Sequence, residues 1–138
     1  MRKEWQHEIL IQPAFHDLDP MAIVWHGNYL KYFEIARSAL LQKFDYDFEQ
    51  MAASGYSWPI VDLRIKYIRP IRYDQKLKVQ ASISEWECRL RVDYLIVDAS
   101  TDDILTKAHT IQVAVRIDNG EMQFATPEVF RLRIGAVE

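Results

Sequence analysis

Residues 28–44 restrict the fold of this chain more than any other segment. Their apolar side chains recur at helical spacing and cover most of the helix surface. From Tyr29 to Leu41 the apolar surface is interrupted at only four positions, Lys31, Glu34, Arg37 and Ser38. A helix this apolar packs on more than one side. We therefore expect one long internal helix, with Asn28 as its N-cap.

Most of the remaining sequence predicts β-strands. Apolar and polar residues alternate with a period of two, or β-branched and aromatic residues cluster, in the segments 5–12, 61–67, 77–83, 90–96, 104–117 and 121–125. The turn sequence Asp118-Asn119-Gly120 predicts a hairpin before the last of these. Residues 45–54 predict a short second helical turn that ends near Gly55.

The order of these elements is one strand, one long helix and a meander of four or five strands. An antiparallel sheet can bury a single apolar helix only by curling around it. The pattern therefore predicts an α+β hotdog fold, in which a curled antiparallel sheet of five to six strands wraps around one long central α-helix. No linker or repeat divides residues 1–138, so we expect one domain.

Charge excludes one class of function and leaves a second open. The net charge of −3 argues against nucleic-acid binding. Between Arg64 and Arg91, however, eight basic residues face three acidic ones, so this segment carries +5 and the remainder −8. The segment is either an anion-binding face for a phosphorylated small molecule or the solvated faces of antiparallel strands.

Cysteine content, motif content and hydropathy restrict the cofactors and the cellular location that we expect. Cys88 is the only cysteine, which excludes an intrachain disulfide and a thiolate metal cluster. The sequence shows no metal-ligand spacing and no Gly-rich phosphate loop, so we expect neither metal nor cofactor. No apolar signal region or membrane-length run is present. We therefore expect a cytoplasmic protein that does not insert into membranes.

The segment just before the long helix has the composition of an active site. It contains two carboxylates, Asp17 and Asp19, and then His26 and Gly27 at the start of the helix. A helix N-terminus offers free backbone N–H groups that suit a developing oxyanion. Asp17 and Asp19 are two residues apart, so on an extended segment their side chains point in opposite directions. They should therefore have different roles.

Two motifs resemble the branch of the hotdog superfamily that contains 4-hydroxybenzoyl-CoA thioesterase and YbgC. The first reads Phe-His-Asp-Leu-Asp-Pro over residues 15–20 and Ile-Val-Trp-His-Gly-Asn-Tyr over residues 23–29; the second is Tyr-Ile-Arg-Pro-Ile-Arg-Tyr-Asp over residues 67–74. The resemblance implies hydrolysis of an acyl-CoA or acyl carrier protein thioester, with coenzyme A present only as part of the substrate. It places Asp19 at the catalytic aspartate, which acts as nucleophile or as general base.

The same resemblance suggests roles for neighbouring residues. It places the His26 backbone N–H near the oxyanion position, where Gly27 is the second candidate. Independently of the resemblance, partly apolar surroundings would make Asp19 a better base, and Asp17 would hold the loop by accepting backbone N–H bonds. We expect Asp17 also to border the substrate, and Trp25 and Tyr29 either to line the acyl pocket or to belong to the core.

Arginines are the candidates for the phosphates of coenzyme A, because guanidinium groups bind phosphate oxygens in a bidentate manner. Arg89 is favoured by the resemblance, and Arg72 and Arg91 are weaker candidates. The family binds coenzyme A between subunits, and a free sheet edge predicts pairing with a second copy. We therefore expect a homodimer or a homotetramer built as a dimer of dimers.

The sequence departs from the family pattern at one position and leaves two alternative functions open. The family often has glycine three residues after the catalytic aspartate, where this chain has Ala22 after the bulky Met21. The first alternative is a hotdog enoyl-CoA hydratase or dehydratase that uses His26. The second is a non-catalytic acyl-CoA-binding protein on the same fold.

Overall fold

The computed structural model of the protein describes residues 3–136 and contains three helices and seven strands. The predicted domain limits, residues 1 and 138, lie outside this range. The helices are α1 (Tyr29–Gln42), α2 (Phe48–Ala53) and α3 (Glu128–Arg133), and the strands are β1 (Gln6–Ile11), β2 (Tyr56–Ser57), β3 (Ile60–Tyr67), β4 (Leu77–Glu85), β5 (Leu90–Asp98), β6 (Ile104–Gln112) and β7 (Val115–Arg116). Short 3₁₀ turns cover Lys3–Trp5, Phe15–Asp17 and His26–Asn28.

Five strands form one antiparallel sheet in the order β1-β4-β5-β6-β3. This confirms the antiparallel sheet but corrects the predicted meander. Strand β3 does not pair with β4; it crosses to β6 at the far edge, where Tyr67 lies opposite Thr106. The loop between β3 and β4 therefore spans the sheet, and its residues Ile71 and Arg72 reach the segment before α1.

Helix α1 packs on the sheet through the apolar residues that the sequence singled out. Tyr32, Phe33 and Leu40 are almost fully buried, and the helix contacts β1 and β4. On the sheet side, β4 and β5 bury alternate residues, as a period of two requires. The helix is shorter than predicted, with 14 residues, because residues 28 and 43–45 form turns. A sheet that wraps fully around it stays a prediction.

Three further predictions are wrong in their details. Asn28 occupies the N-cap position, but its side chain makes no capping bond and instead donates to the Asp17 carbonyl oxygen. Residues 121–125 form no strand, although the turn does return the chain, since Arg116 N–H donates to Glu121 O. The predicted strand 104–117 is two strands, β6 and β7. Helix α3 was not predicted; it buries Phe130 against Trp58 and Tyr46.

Candidate functional site

Asp19 lies in a tight hairpin loop. Leu18 pairs with Val24, the Asp19 N–H donates to Ile23 O (2.8 Å) and the Ala22 N–H donates back to Asp19 O (3.0 Å). The Asp19 Oδ1 accepts a hydrogen bond from the Met21 N–H (2.8 Å). An aspartate followed by proline is a favoured start for such a turn. The carboxylate is half-buried and held in one orientation.

Ala22 closes this loop in the left-handed conformation, with φ of 62°. A three-residue hairpin loop ends in a residue with positive φ, and glycine is the residue that adopts it without strain. The family's usual glycine at this position therefore has a conformational reason. This chain builds the same turn with alanine at a cost in backbone strain.

Asp17 is the buried carboxylate of the segment, at 2% exposure. Its carboxylate accepts hydrogen bonds from the Ala14 N–H (3.0 Å) and the Tyr32 hydroxyl (2.8 Å), and it pairs with Lys31. Burial raises the pKa of Asp17, but these three donors outweigh it and hold the pKa below its ordinary value of 3.8. The expected backbone bond is present, so Asp17 holds the loop against the first turns of α1.

The turn His26–Asn28 places free donors at the start of α1. Within residues 3–136, neither the His26 N–H nor the Gly27 N–H donates a hydrogen bond. The turn is held from both sides: Asn28 N–H donates to Trp25 O (2.9 Å), and the Tyr67 hydroxyl donates to His26 O (2.9 Å). Two unpaired N–H groups at a helix N-terminus can bind an oxyanion.

Gly27 lies in close contact with the Trp25 side chain. A Cβ at this position would lie 2.2 Å from the nearest carbon of the Trp25 indole. The indole therefore packs directly over the backbone of residue 27 while remaining 48% exposed, and its ring centre lies 5.0 Å from that of His26. The His26 side chain is itself exposed.

Tyr29 lies in the core. It is buried, and its ring meets the ring of Tyr67 edge-on at 4.8 Å. Of the two predicted acyl-pocket aromatics, only Trp25 is open to solvent beside the loop. Tyr29 instead supports Tyr67, which holds the His26 carbonyl.

The three candidate arginines lie in different places. Arg72 is next to the Asp19 loop, because it bridges to Ile23 through the backbone. Arg89 precedes β5 at the opposite end of the sheet, where Leu90 lies opposite Gln112, and it pairs with Glu85. Arg91 lies one strand position further and pairs with Asp93. Within one chain, therefore, only Arg72 adjoins Asp19.

A cavity beside α1 and α2 is also distant from the Asp19 loop of its own chain. It has a volume of about 600 Å³ and lies between α1, α2 and the segment leading into β3. Trp58 and Gln112 mark its position at the Ile60 end of β3, whereas the loop lies at the Tyr67 end. Its wall includes the ion pair between Arg37 and Glu34, in which Arg37 is 9% exposed.

Sequence reasoning missed three residues that shape the site. Lys31 and Tyr32 bind Asp17 from the first turn of α1, and Tyr67 binds the His26 carbonyl from the end of β3. Lys31 offered a signal, since it interrupts an otherwise apolar helix. Tyr67 begins the second motif, but the sequence assigned it no contact, because only the crossing of β3 to the far edge brings it to the loop.

Two kinds of feature, a metal-binding cluster and a membrane-spanning helix, are absent from residues 3–136. Residues 3–136 contain no cluster of three or more His, Cys, Asp or Glu side chains arranged to hold a metal ion. In the same part of the chain, no helix has the length and hydropathy needed to cross a membrane.

Comparison with known proteins gives consistent matches. A family model described as Thioesterase-like superfamily matches residues 13–133. YbgC of Escherichia coli O157:H7, an acyl-CoA thioester hydrolase, is 22% identical over 105 residues, 76% of this chain and 78% of that protein. The chloroplastic acyl-acyl carrier protein thioesterase ATL3 of Arabidopsis thaliana is 26% identical over 126 residues, 91% of this chain and 65% of ATL3.

A solved structure shows the same fold. Slr0204 of Synechocystis, a 1,4-dihydroxy-2-naphthoyl-CoA thioesterase, superposes with a TM-score of 0.84 at 19% identity. The match covers 96% of this chain and 97% of Slr0204.

Proposed function

Because the chain belongs to the thioesterase-like superfamily, we propose that it hydrolyses acyl-CoA thioesters with Asp19 as its catalytic residue. One observation supports this most. The Asp19 carboxylate, which accepts the Met21 N–H, and two unpaired backbone N–H groups lie on consecutive turns, and residues 67–72 contact the chain at both turns. The relatives named above act on acyl thioesters, which fits this chemistry.

The proposed reaction uses these groups in order. Asp19 either removes a proton from water that attacks the thioester carbonyl or attacks the carbonyl itself. The new C–O bond places negative charge on the carbonyl oxygen, and the N–H groups of His26 and Gly27 stabilise it. The C–S bond then breaks, and coenzyme A leaves as a thiolate that takes up a proton. Water hydrolyses the anhydride if Asp19 was the nucleophile.

The test of this proposal is Asp19→Asn with a panel of aromatic and aliphatic acyl-CoAs. Loss of the carboxylate should lower kcat by about 100-fold or more while the fold is kept. Release of free thiol measures turnover, and the melting temperature checks the fold. Asp103→Asn, which removes an exposed carboxylate that pairs with Arg69, is the matched control and should keep full activity. Undiminished turnover by Asp19→Asn would exclude the mechanism.

The same assay separates the alternatives. An enoyl-CoA hydratase would consume the absorbance of the double bond without releasing thiol. A non-catalytic binding protein would bind acyl-CoA and release thiol from none of the panel. A single turnover in ¹⁸O-labelled water, followed by mass spectrometry, distinguishes the two roles of Asp19, since only a nucleophile carries the label into its own carboxylate.

The proposed enzyme is a homodimer formed by strand β3. This strand lies at the sheet edge and exposes apolar side chains, including Val61, Leu63 and Tyr67. The sequence predicts a half-buried strand, but within one chain only Ile65 is partly covered. Such an edge favours pairing with another strand. A second chain paired with β3 would bury these apolar side chains.

The dimer would also complete the substrate site. A two-fold axis pairs β3 antiparallel with its copy, so the Tyr67 end of one strand lies beside the Ile60 end of the other. The Asp19 loop of one chain would then adjoin the 600 Å³ cavity of the second. We propose that the acyl group enters this cavity, whose volume suits a small ligand.

A further inference from the structure

Five basic side chains meet on the outer face of the sheet, away from α1. The buried residues of β5 alternate with residues that point to this outer face, and three adjacent strands contribute to it. The basic residues line a cavity of about 480 Å³ and are Arg64, Lys66, Arg91, Lys107 and His109. Only Arg64, Lys66 and Arg91 belong to the basic segment of the sequence, so the sheet adds two residues from β6.

The strand register places two like-charged lysines directly opposite one another. Lys66 of β3 lies opposite Lys107 of β6, and Arg64 lies opposite His109 in the same pair of strands. Like charges at directly opposed positions destabilise a sheet. The free protein therefore carries an unfavourable arrangement that an anion in the cavity would relieve.

The carboxylate in this cavity is already engaged. Asp93 accepts a hydrogen bond from Arg91 Nε (3.1 Å), and the guanidinium of Arg91 also contacts His109. In the described part of the chain, Arg64, Lys66 and Lys107 have no carboxylate within 4.0 Å. Three cations thus share one open concave surface without counter-ions.

Several basic residues elsewhere in the sheet region form ion pairs with carboxylates. Arg69 pairs with Asp103, Lys78 with Asp102 and Arg89 with Glu85. Residues of the turn after β5 and of the end of β4 thus provide carboxylate partners for these cations. Within residues 3–136, Asp93 of the outer-face cavity partners only Arg91, and Arg64, Lys66 and Lys107 have no such partner.

We propose that the outer-face cavity binds the phosphate groups of a small polyphosphate ligand. Ammonium and guanidinium groups are the side chains that bind phosphate oxygens most strongly, and their combined field attracts a multiply charged anion. The cavity volume matches a group the size of a diphosphate or nucleotide. The diphosphate belongs either to coenzyme A or to a free nucleotide.

The first experiment measures binding of inorganic pyrophosphate and of coenzyme A by calorimetry, without turnover. The double variant Lys66→Gln/Lys107→Gln should bind pyrophosphate about tenfold more weakly or worse than the wild type. Arg64→Gln should weaken binding in the same direction. The control, Lys76→Gln/Lys78→Gln, removes the same charge outside the cavity and should leave binding unchanged. Equal affinity in wild type and both cavity variants overturns the proposal, as does an absence of pyrophosphate binding in the wild type.

Thermal unfolding provides an independent measurement on the same proteins. Because the double variant removes opposed like charges, its melting temperature without ligand should equal or exceed that of the wild type. Pyrophosphate should raise the melting temperature of the wild type and of the control but not of the cavity variant. A double variant that is less stable without ligand would show that the lysines serve the fold, which contradicts the proposal.

Kinetics then identify the source of the diphosphate. If the ligand is the substrate, the double variant raises KM for an acyl-CoA about tenfold and leaves KM for the matching acyl-pantetheine unchanged. If it is a free nucleotide, both KM values stay constant while pyrophosphate binding is lost. A KM that rises for acyl carrier protein thioesters alone would assign the surface to a protein partner and overturn the proposal. The binding measurements stand even where no hydrolysis is found, so this inference and the proposed function fail separately.

Discussion

Ala22 shows how the backbone of one residue can shape a candidate site without a contribution from its side chain. Its left-handed backbone closes the hairpin loop that orients Asp19. The sequence identified the departure from glycine but gave it no physical meaning. The structure supplies that meaning, since the loop geometry requires a positive φ at this position. The hairpin conformation of the loop is kept with alanine, at a cost in stability.

Replacement of Ala22 with glycine should therefore stabilise the protein. Relief of the left-handed strain exceeds the extra chain entropy of glycine, and the net gain should be about 1 kcal/mol. Urea denaturation measures it. Ala14→Gly is the matched control, because Ala14 has an extended backbone with φ of −78°, so that glycine there should reduce stability. A stability of Ala22→Gly equal to or below that of the wild type contradicts this explanation.

At the scale of elements, Asp17 joins the turn Phe15–Asp17 to helix α1. Ala14 lies before this turn, and Lys31 and Tyr32 lie on the first turn of the helix. Asn28 adds a bond to the Asp17 backbone. The Asp19 loop and the turn His26–Asn28 lie between these two elements, so the contacts of the buried carboxylate hold the two ends of this segment together.

The Asp17→Asn variant should lose about 3 kcal/mol of stability at pH 7, because Lys31 and the two other donors lose a buried charged acceptor. The wild-type pKa is lowered on folding, so this contribution is complete above the ordinary value of 3.8 and is lost as the pH falls through the folded pKa. The difference between variant and wild type should stay constant from pH 7 down to about pH 5 and shrink as the pH falls below 3.8.

Urea denaturation across this pH range is the measurement. Asp103→Asn, which removes a carboxylate from an exposed ion pair with Arg69, should change stability by less than about 1 kcal/mol at every pH. A pH-independent difference for Asp17→Asn would contradict the role given to its charge.

Elements were predicted from sequence where their pattern is local. The period of two located β4 and β5, and the apolar surface located α1, because burial acts on each of these segments directly. Strand β3 shows the opposite case. Its alternation predicts a covered face, but within one chain the strand stays largely exposed, and its pairing with β6 depends on contacts distant in sequence.

The residues of the candidate site also fall into those that a local sequence motif identifies and those that only the folded structure brings together. Asp19, His26 and Gly27 form one continuous motif, which the sequence shows directly. Lys31 interrupts the apolar helix and Tyr67 begins the second motif, but their contacts with the site depend on helix packing and strand order, so the sequence assigned them no role. The outer-face cavity has the same origin, because Lys107 and Arg64 become neighbours only in the folded sheet.

At the scale of the whole molecule, the β3 edge predicts association. We expect the wild type to be a dimer and Leu63→Glu to be a monomer at the same concentration, because a charge on the apolar face opposes burial against a second chain. Light scattering coupled to gel filtration measures the mass. Leu132→Glu places the same charge on α3, where Leu132 is 52% exposed, and should leave the dimer intact. A dimeric Leu63→Glu variant would show that another surface associates.

Tyr67 lies at the end of that edge strand and also holds the carbonyl of His26. One hydroxyl group therefore belongs both to the surface through which two chains would meet and to the turn that would stabilise the oxyanion. Any shift of the strand on association moves the tyrosine, and with it the turn. The proposed assembly and the proposed chemistry would thus be coupled mechanically by a single hydrogen bond.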